Sequence, residues 1–137
     1  MTGRTPSELG RRAEAFAARY VASLGWRVLG RNVFNRYGEV DIVALECEGT
    51  EEAELVRVEV RVRTIGVSQS PVDSVGPKKL RSLVNSGRAL VERMGWTGFW
   101  RIDLIGVTGS RGSDEPEWRL EHIRDITGSM LPPSMDS

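Results

Sequence analysis

Two segments decide how this chain folds: residues 38–45 read GEVDIVAL, and residues 55–63 read LVRVEVRVR. In the second segment valine alternates with arginine and glutamate, which is the pattern of a half-buried strand. The first segment alternates in the same way, and one of its faces carries Val40, Ile42 and Ala44. Because acidic residues fill the stretch between the two segments, the pattern predicts an antiparallel hairpin with a long acidic loop at 46–54.

Helical spacing of apolar residues predicts one helix on each side of this hairpin. The first begins at a capping box in residues 5–8 and ends at Gly25, and the second runs from Pro77 to Gly95. The remaining predicted elements are strands at 26–34 and 101–107 and, at 118–126, an element that reads equally as a strand or a short helix. The order predicts a single α/β domain over residues 1–127, built as αβββαβ, followed by a disordered Pro/Ser-rich tail at 128–137.

Composition limits the chemistry that 137 residues of this kind can perform. The chain has one cysteine, Cys47, and one histidine, His122, so an internal disulfide, a multi-cysteine zinc site and a His-pair metal site are all excluded. A metal would therefore need carboxylate ligands, which favours Mg²⁺ or Mn²⁺. With no long apolar run, we expect a cytoplasmic protein that does not enter a membrane. We also expect the lone histidine to lie at the surface or at an edge of the fold rather than to act as a catalyst.

The net charge is zero, which excludes a protein that coats nucleic acid through a uniformly basic surface. The charges are nevertheless segregated along the chain. Residues 38–59 hold eight acidic residues and one arginine, whereas residues 60–111 hold nine basic and three acidic residues. One interpretation is solvated surface charge, and the other is an acidic metal site flanked by bases that attract a polyanion.

The polar face of the hairpin carries the candidate site. Asp41 and Glu59 lie on adjacent strands, where cross-strand pairing brings two carboxylates within reach of one metal ion. Arg61 follows Glu59 on the same face and is suited to balance charge at a phosphate. Aspartate is depleted in strands, so its presence in the middle of one suggests a purpose. The alternative is a hairpin with an ordinary polar face.

The order of these motifs resembles a known nuclease pattern. GEVDIV at 38–43, followed by VEVR at 58–61, is similar to the PD-(D/E)xK motif of the restriction-endonuclease-like fold. More specifically, the chain resembles the YraN family of endonuclease-like bacterial proteins, with further matches from residue 9 to residue 107. The resemblance implies a mixed sheet flanked by helices in an αβββαβ core, and a Mg²⁺ or Mn²⁺ cofactor.

The resemblance also implies roles for individual residues. Asp41 and Glu59 match the metal-binding carboxylates of the motif. Glu14, on the first helix, matches the third acidic ligand of nucleases similar to Holliday junction resolvases. Glu39 is expected either to support these ligands or to form a surface ion pair. Two further positions are implied near the substrate phosphate, Lys79 and Gln69.

One position departs from the motif, because Arg61 stands where the motif has lysine. Lysine can lose its proton when desolvated, whereas arginine stays charged and cannot act as a base. Three functions therefore remain open: a metal-dependent nuclease on branched or damaged DNA in repair or recombination, a non-catalytic nucleic-acid-binding module, and an interaction module that uses the loop at 46–54. A homodimer is a further expectation, since many nucleases of this fold dimerise.

Overall fold

A computed structural model describes residues 8–64, 71–109 and 118–127 of the chain. The helices and strands are α1 (Glu8–Ser23), β1 (Arg27–Asn35), β2 (Gly38–Glu46), β3 (Glu54–Thr64), α2 (Pro77–Met94), β4 (Phe99–Gly109) and β5 (Arg119–Ile123), with a short 3-10 helix at Pro71–Ser74. The predicted αβββαβ order is confirmed, and the undecided last element is a strand. The predicted capping residues 5–7 and the tail at 128–137 lie outside the described residues.

The five strands form one mixed sheet in the order β1-β2-β3-β4-β5. β1 pairs antiparallel with β2, and β2 pairs antiparallel with β3, so the predicted hairpin is confirmed. β3 and β4 are parallel, which requires a crossover connection, and α2 supplies it. β5 closes the other edge of the sheet, antiparallel to β4.

The two helices cover opposite faces of the sheet, and each has its own apolar cluster. On the α1 side the buried residues include Ala13, Ala17, Val21, Ile42, Ala44, Val56, Val58 and Val60. On the α2 side they include Val43, Leu45, Leu55, Leu83, Leu90, Val91, Trp100 and Ile102. The alternation predicted for β3 is thus confirmed, because its valines face α1 while its charged residues share the face of Leu55.

The α2 helix lies unusually close to the sheet at one position. A Cβ atom built on Gly87 would stand 2.6 Å from the ring of Trp100, so only glycine allows this approach. The helix then ends at Gly95, whose left-handed backbone (φ 69°) lets its N–H bond to the carbonyl of Glu92.

The strand pattern predicted for β2 is wrong at Val40. The sequence places Val40 on the face of Ile42 and Ala44, but Val40 belongs to the α2-side cluster while the other two pack against α1. The change of face falls at Asp41, where regular pairing with β3 gives way to a side-chain contact. Among the helices that the structure describes, none is long and apolar enough to cross a membrane.

Candidate functional site

The strands β2 and β3 form a fork at Asp41. Their paired residues run from Glu46 and Glu54 to Ile42 and Val58, and Asp41 and Glu59 follow directly after the last pair. At that point the backbone N–H of Val60 donates to Oδ2 of Asp41 at 2.8 Å. The Asp41 carboxylate therefore takes the place of a backbone partner.

Burial makes the Asp41 carboxylate difficult to ionise. The residue is 9% exposed, and burial raises its pKa from 3.8 to about 7. The charge of Glu59 is the second cause of this rise, and the charge of Glu14 adds to it, whereas the Val60 hydrogen bond and Arg57 lower the pKa. Two of the predicted acids, Glu59 and Glu14, thus act electrostatically on the third, Asp41.

Glu59 lies among three cations from two elements. Its Oε1 accepts a hydrogen bond from Nη1 of Arg57 at 3.1 Å. Its Oε2 lies 3.6 Å from Nε of Arg61 on the same strand and 3.6 Å from Nζ of Lys79 at the beginning of α2. The predicted residues Glu59, Arg61 and Lys79 are therefore together, and Arg61 and Lys79 stand at the same distance from one carboxylate oxygen.

Arg57 is the member of this cluster that sequence reasoning missed. It is 2% exposed, and besides Glu59 it donates from Nη2 to the carbonyl of Glu39 and to Oγ of Ser86, each at 3.1 Å. One guanidinium thereby joins β3, β2 and α2. The signal in the sequence was the alternation itself, which puts Arg57 on the face of Glu59, but alternation does not distinguish a buried arginine from an exposed one.

Asn32 and two acidic residues, Glu14 and Glu39, form a hydrogen-bonded group beside the fork. Nδ2 of Asn32 donates to Oε1 of Glu14 at 2.9 Å and to Oε2 of Glu39 at 2.7 Å. Asn32 has a left-handed backbone (φ 53°), a conformation that asparagine tolerates better than most residues. The predicted Glu14 and Glu39 are thus brought together by a residue to which the sequence assigned no role. The predicted Gln69 lies outside the described residues.

The acidic side chains near the fork offer oxygen ligands of the kind that Mg²⁺ prefers. Within residues 8–64, 71–109 and 118–127, no three His, Cys, Asp or Glu side chains are grouped so that they hold one ion. Mg²⁺ commonly binds through one or two carboxylates, with water and substrate phosphate as its other ligands. Asp41 and Glu59 fit that pattern, since both supply carboxylate oxygens. A bound cation would also stabilise the negative charge of Asp41, which burial otherwise disfavours.

The Nε–H group of Arg61 donates no hydrogen bond within the described part of the chain. Its Nε is buried, yet it has no hydrogen-bond partner there, because the 3.6 Å to Oε2 of Glu59 is too long for one. An unpaired buried N–H is costly, so a ligand oxygen that accepts from it would be stabilised. The fork thus combines carboxylates for a cation with a guanidinium for an anion.

A separate polar network on the α1 side includes His122, which lies on the edge strand β5 but whose side chain is not at the surface. Its side chain is 8% exposed, and Nε2 lies 2.8 Å from Oδ2 of Asp103, while Nδ1 lies 2.9 Å from the Tyr20 hydroxyl. Asp103 is fully buried and also accepts from Nε of Arg101 at 2.8 Å. The histidine is buried because β5 places it over β4, a pairing that the sequence left undecided.

The match with known proteins covers most of the chain. The model of a family described as "Uncharacterised protein family UPF0102" matches residues 13–107, which include most of α1, the fork and Lys79. A UPF0102 protein of Marinobacter nauticus is 37% identical over 119 residues, 86% of this chain and 90% of its own length. One of Anaeromyxobacter dehalogenans is 42% identical over 118 residues, 84% of this chain and 80% of its own.

A third relative, the UPF0102 protein of Chlorobium chlorochromatii, is 33% identical over 120 residues, which cover 86% of this chain and 89% of that one. The predicted resemblance to the YraN family is thereby confirmed. The family model and each of these relatives match well over half of the chain. The chain therefore belongs to the UPF0102 family.

Proposed function

We propose that this protein is a metal-dependent, nuclease-like protein that acts on DNA phosphodiesters, with branched or damaged DNA in repair or recombination as its substrate class. One observation carries the proposal: the fork places the buried Asp41 next to Glu59, with Arg61 and Lys79 facing the same carboxylate. Carboxylates for a cation beside cations for a phosphate are what phosphodiester hydrolysis requires.

The two carboxylates would hold Mg²⁺ or Mn²⁺. The ion, when bound, supplies a polarised water and neutralises charge on the phosphate. Arg57 keeps Glu59 in place, because its guanidinium is itself fixed by the Glu39 carbonyl and by Ser86. Asn32 holds Glu14 beside the fork in the same way.

Arg61 and Lys79 would together supply the two roles of the single lysine in the motif, which are phosphate binding and proton transfer. Arg61 cannot release a proton, so its role is to donate from Nε to a phosphate oxygen. Lys79 stands equally close to Glu59, and its ammonium can release a proton. We therefore assign to Lys79 the donation of a proton to the leaving oxygen as its bond to phosphorus breaks, while the proton of the attacking water passes to solvent and the charge of Lys79 also attracts the substrate.

The test is cleavage of branched, single-stranded and duplex DNA with Mg²⁺ or Mn²⁺. We expect Asp41→Ala to reduce cleavage at least about 100-fold, whereas Glu121→Ala, which removes an exposed acid from β5, leaves the rate unchanged. If Asp41→Ala and the wild-type protein cut equally, the cleavage comes from a contaminant and the proposal is wrong.

Lys79→Arg tests the role of Lys79 separately, because arginine keeps the positive charge but does not give up a proton. Lys79→Arg should retain DNA affinity and lose about 100-fold in cleavage rate. Full cleavage activity in Lys79→Arg would assign the proton transfer elsewhere.

The second candidate is a nucleic-acid-binding module of the same fold that does not cut. Both oxygens of Glu59 already face cations, which favours this alternative. It predicts salt-sensitive DNA binding that survives Asp41→Ala and becomes tighter, since a negative charge is lost. Calorimetry would then detect no heat on adding Mg²⁺.

A further inference from the structure

A positively charged groove lies between the β1–β2 turn and the outer face of α2, away from the carboxylates of the fork. Its volume is about 420 Å³. Three arginines and one acid contribute to its lining, namely Arg36, Arg88, Arg93 and Glu92. The excess of guanidinium groups suits the groove to an anionic ligand.

The turn that forms one wall of the groove is held against the helix. Nδ2 of Asn35 donates to the carbonyl of Ser86 on α2 at 3.0 Å. Oδ1 of Asn35 accepts from the backbone N–H of Tyr37 at 2.9 Å, so the same side chain also shapes the turn. These two hydrogen bonds therefore hold one wall of the groove in place against α2.

An aromatic ring and a guanidinium stack at the rim. The Arg36 guanidinium lies 4.9 Å from the centre of the Tyr37 ring and donates to its hydroxyl at 2.8 Å. Tyr37 is 40% exposed, so its ring is accessible to a ligand at the rim of the groove. Aromatic rings beside arginines are how proteins bind unpaired bases and their phosphates together.

The groove and the fork are neighbours on α2. Ser86 separates them: its carbonyl accepts from Asn35 on the groove side, and its hydroxyl accepts from Arg57 on the fork side. Arg57 in turn bonds to Glu59. On α2 the groove residue Arg88 lies two residues after Ser86, and Lys79 of the fork lies seven residues before it.

We infer that this groove binds a single-stranded segment of nucleic acid, with the arginines on its phosphates and Tyr37 stacked on a base. The inference rests on the proposed function, and it specifies that the substrate has an unpaired strand next to the phosphate at the fork. A concavity of about 420 Å³ accommodates a nucleotide-sized group but does not enclose a duplex. An acidic peptide would match the charge, yet it would make no use of the stacked ring.

Binding is tested by fluorescence anisotropy with labelled oligothymidylate in EDTA, where no cleavage takes place. We expect Arg36→Gln combined with Arg93→Gln to weaken binding about tenfold and to reduce the salt slope by about one to two. Tyr37→Ala should weaken it about tenfold as well. The matched controls are Arg119→Gln, at the far edge of the sheet, and Phe34→Ala, an exposed ring on the same hairpin beyond the groove.

Equal losses in the groove variants and the controls would overturn the inference. Tighter binding of a blunt duplex than of the single strand would also overturn it, as would full displacement by polyglutamate, which would assign the groove to an acidic protein. The cleavage assay with Asp41→Ala is independent of these outcomes. Cleavage that depends on Asp41 but not on the groove residues would support the proposed function and contradict the inference about the groove. Binding that depends on the groove residues, without any cleavage, would support the groove as a binding site and contradict the proposed nuclease activity.

Discussion

At the scale of single residues, Asp41 is where folding and chemistry conflict. A carboxylate with 9% exposure, next to Glu59 and near Glu14, is a poor choice for stability alone, since burial and like charges both disfavour its ionised form. The backbone N–H of Val60 and the guanidinium of Arg57 compensate only in part. A carboxyl group whose pKa is raised this far by burial and by neighbouring acids is a candidate for function.

Replacing Asp41 by asparagine should make the protein more stable at neutral and alkaline pH. The pKa of Asp41 is about 7 in the folded state and about 3.9 in the unfolded chain. The folded state thus binds the proton more tightly, and the carboxylate reduces stability as the pH rises from about 4 through 7. Asp41→Asn should gain about 2–4 kcal/mol at pH 8 and little at pH 4.

Urea denaturation of wild type and Asp41→Asn across this pH range measures the effect. Asp73→Asn, at an exposed aspartate, is the control and should follow wild type at every pH. Added Mg²⁺ should reduce the gap above pH 7 by stabilising wild type alone. A constant difference between Asp41→Asn and wild type across the range would contradict the prediction.

At the scale of elements, buried polar groups connect α2 to the hairpin. Arg57 on β3 reaches Ser86 on α2 and the Glu39 carbonyl on β2, while Asn35 on β1 reaches the carbonyl of Ser86. Three strands are therefore connected to the same turn of one helix. This turn lies between Lys79, which faces the fork, and the groove arginines.

Removing the guanidinium of Arg57 should be strongly destabilising. Arg57→Met leaves Glu59 buried without its closest cation, a change that typically costs about 3–5 kcal/mol. The double variant Arg57→Met, Glu59→Gln should recover part of this loss, because the uncompensated charge is gone. Chemical denaturation of the four proteins of this cycle measures the coupling, and additive losses would show that the pair is not coupled.

Gly87 should be intolerant of alanine, although alanine favours helices by about 1 kcal/mol. The added methyl group would stand 2.6 Å from the buried Trp100 ring, so α2 would have to move away from the sheet. We expect Gly87→Ala to cost about 1–3 kcal/mol in thermal denaturation. Ser82→Ala, on the exposed face of the same helix, is the matched control and should be neutral or slightly stabilising.

At the scale of the whole molecule, the polar network around Asp103 joins distant parts of the chain. His122 on β5 links Asp103 on β4 to Tyr20 on α1, and Arg101 links Asp103 to Glu54 at the end of the β2–β3 loop. Burial raises the pKa of Asp103, but hydrogen bonds from His122 and Arg101 and from the Asp125 backbone outweigh it, so the net pKa is lowered.

The network should make the protein sensitive to acid. Because the folded-state pKa of Asp103 is depressed, its contribution to stability is present above the unfolded value of about 3.9 and is lost as the pH falls through the folded value. Asp103→Asn should therefore cost about 3–5 kcal/mol at pH 7, and the difference from wild type should shrink below about pH 4. Denaturation across pH 3–7 measures this, with Glu121→Gln as the control.

The sequence by itself determined the order of elements and the face on which most residues lie. The alternation of β3, the cap at Gly95 and the helical spacing of α1 are local patterns, so they were readable without any tertiary contact. The nearness of Asp41 to Glu59 was also readable, because an antiparallel hairpin brings its two strands side by side. Lys79 depended on the family resemblance, since it is far from the hairpin in sequence.

Only the tertiary structure decided the environment of each charge. Arg57, Asn32 and His122 look like ordinary polar residues in sequence, yet each is fixed by partners 18 to 102 positions away. The same is true of the groove, whose walls are a turn near residue 36 and a helix near residue 90. Burial and long-range electrostatics arise when elements pack, and local periodicity carries no record of them. For that reason the sequence predicted the carboxylates and Arg61 but not the buried partners, such as Arg57 and Asn32, that hold the acids of the site in place.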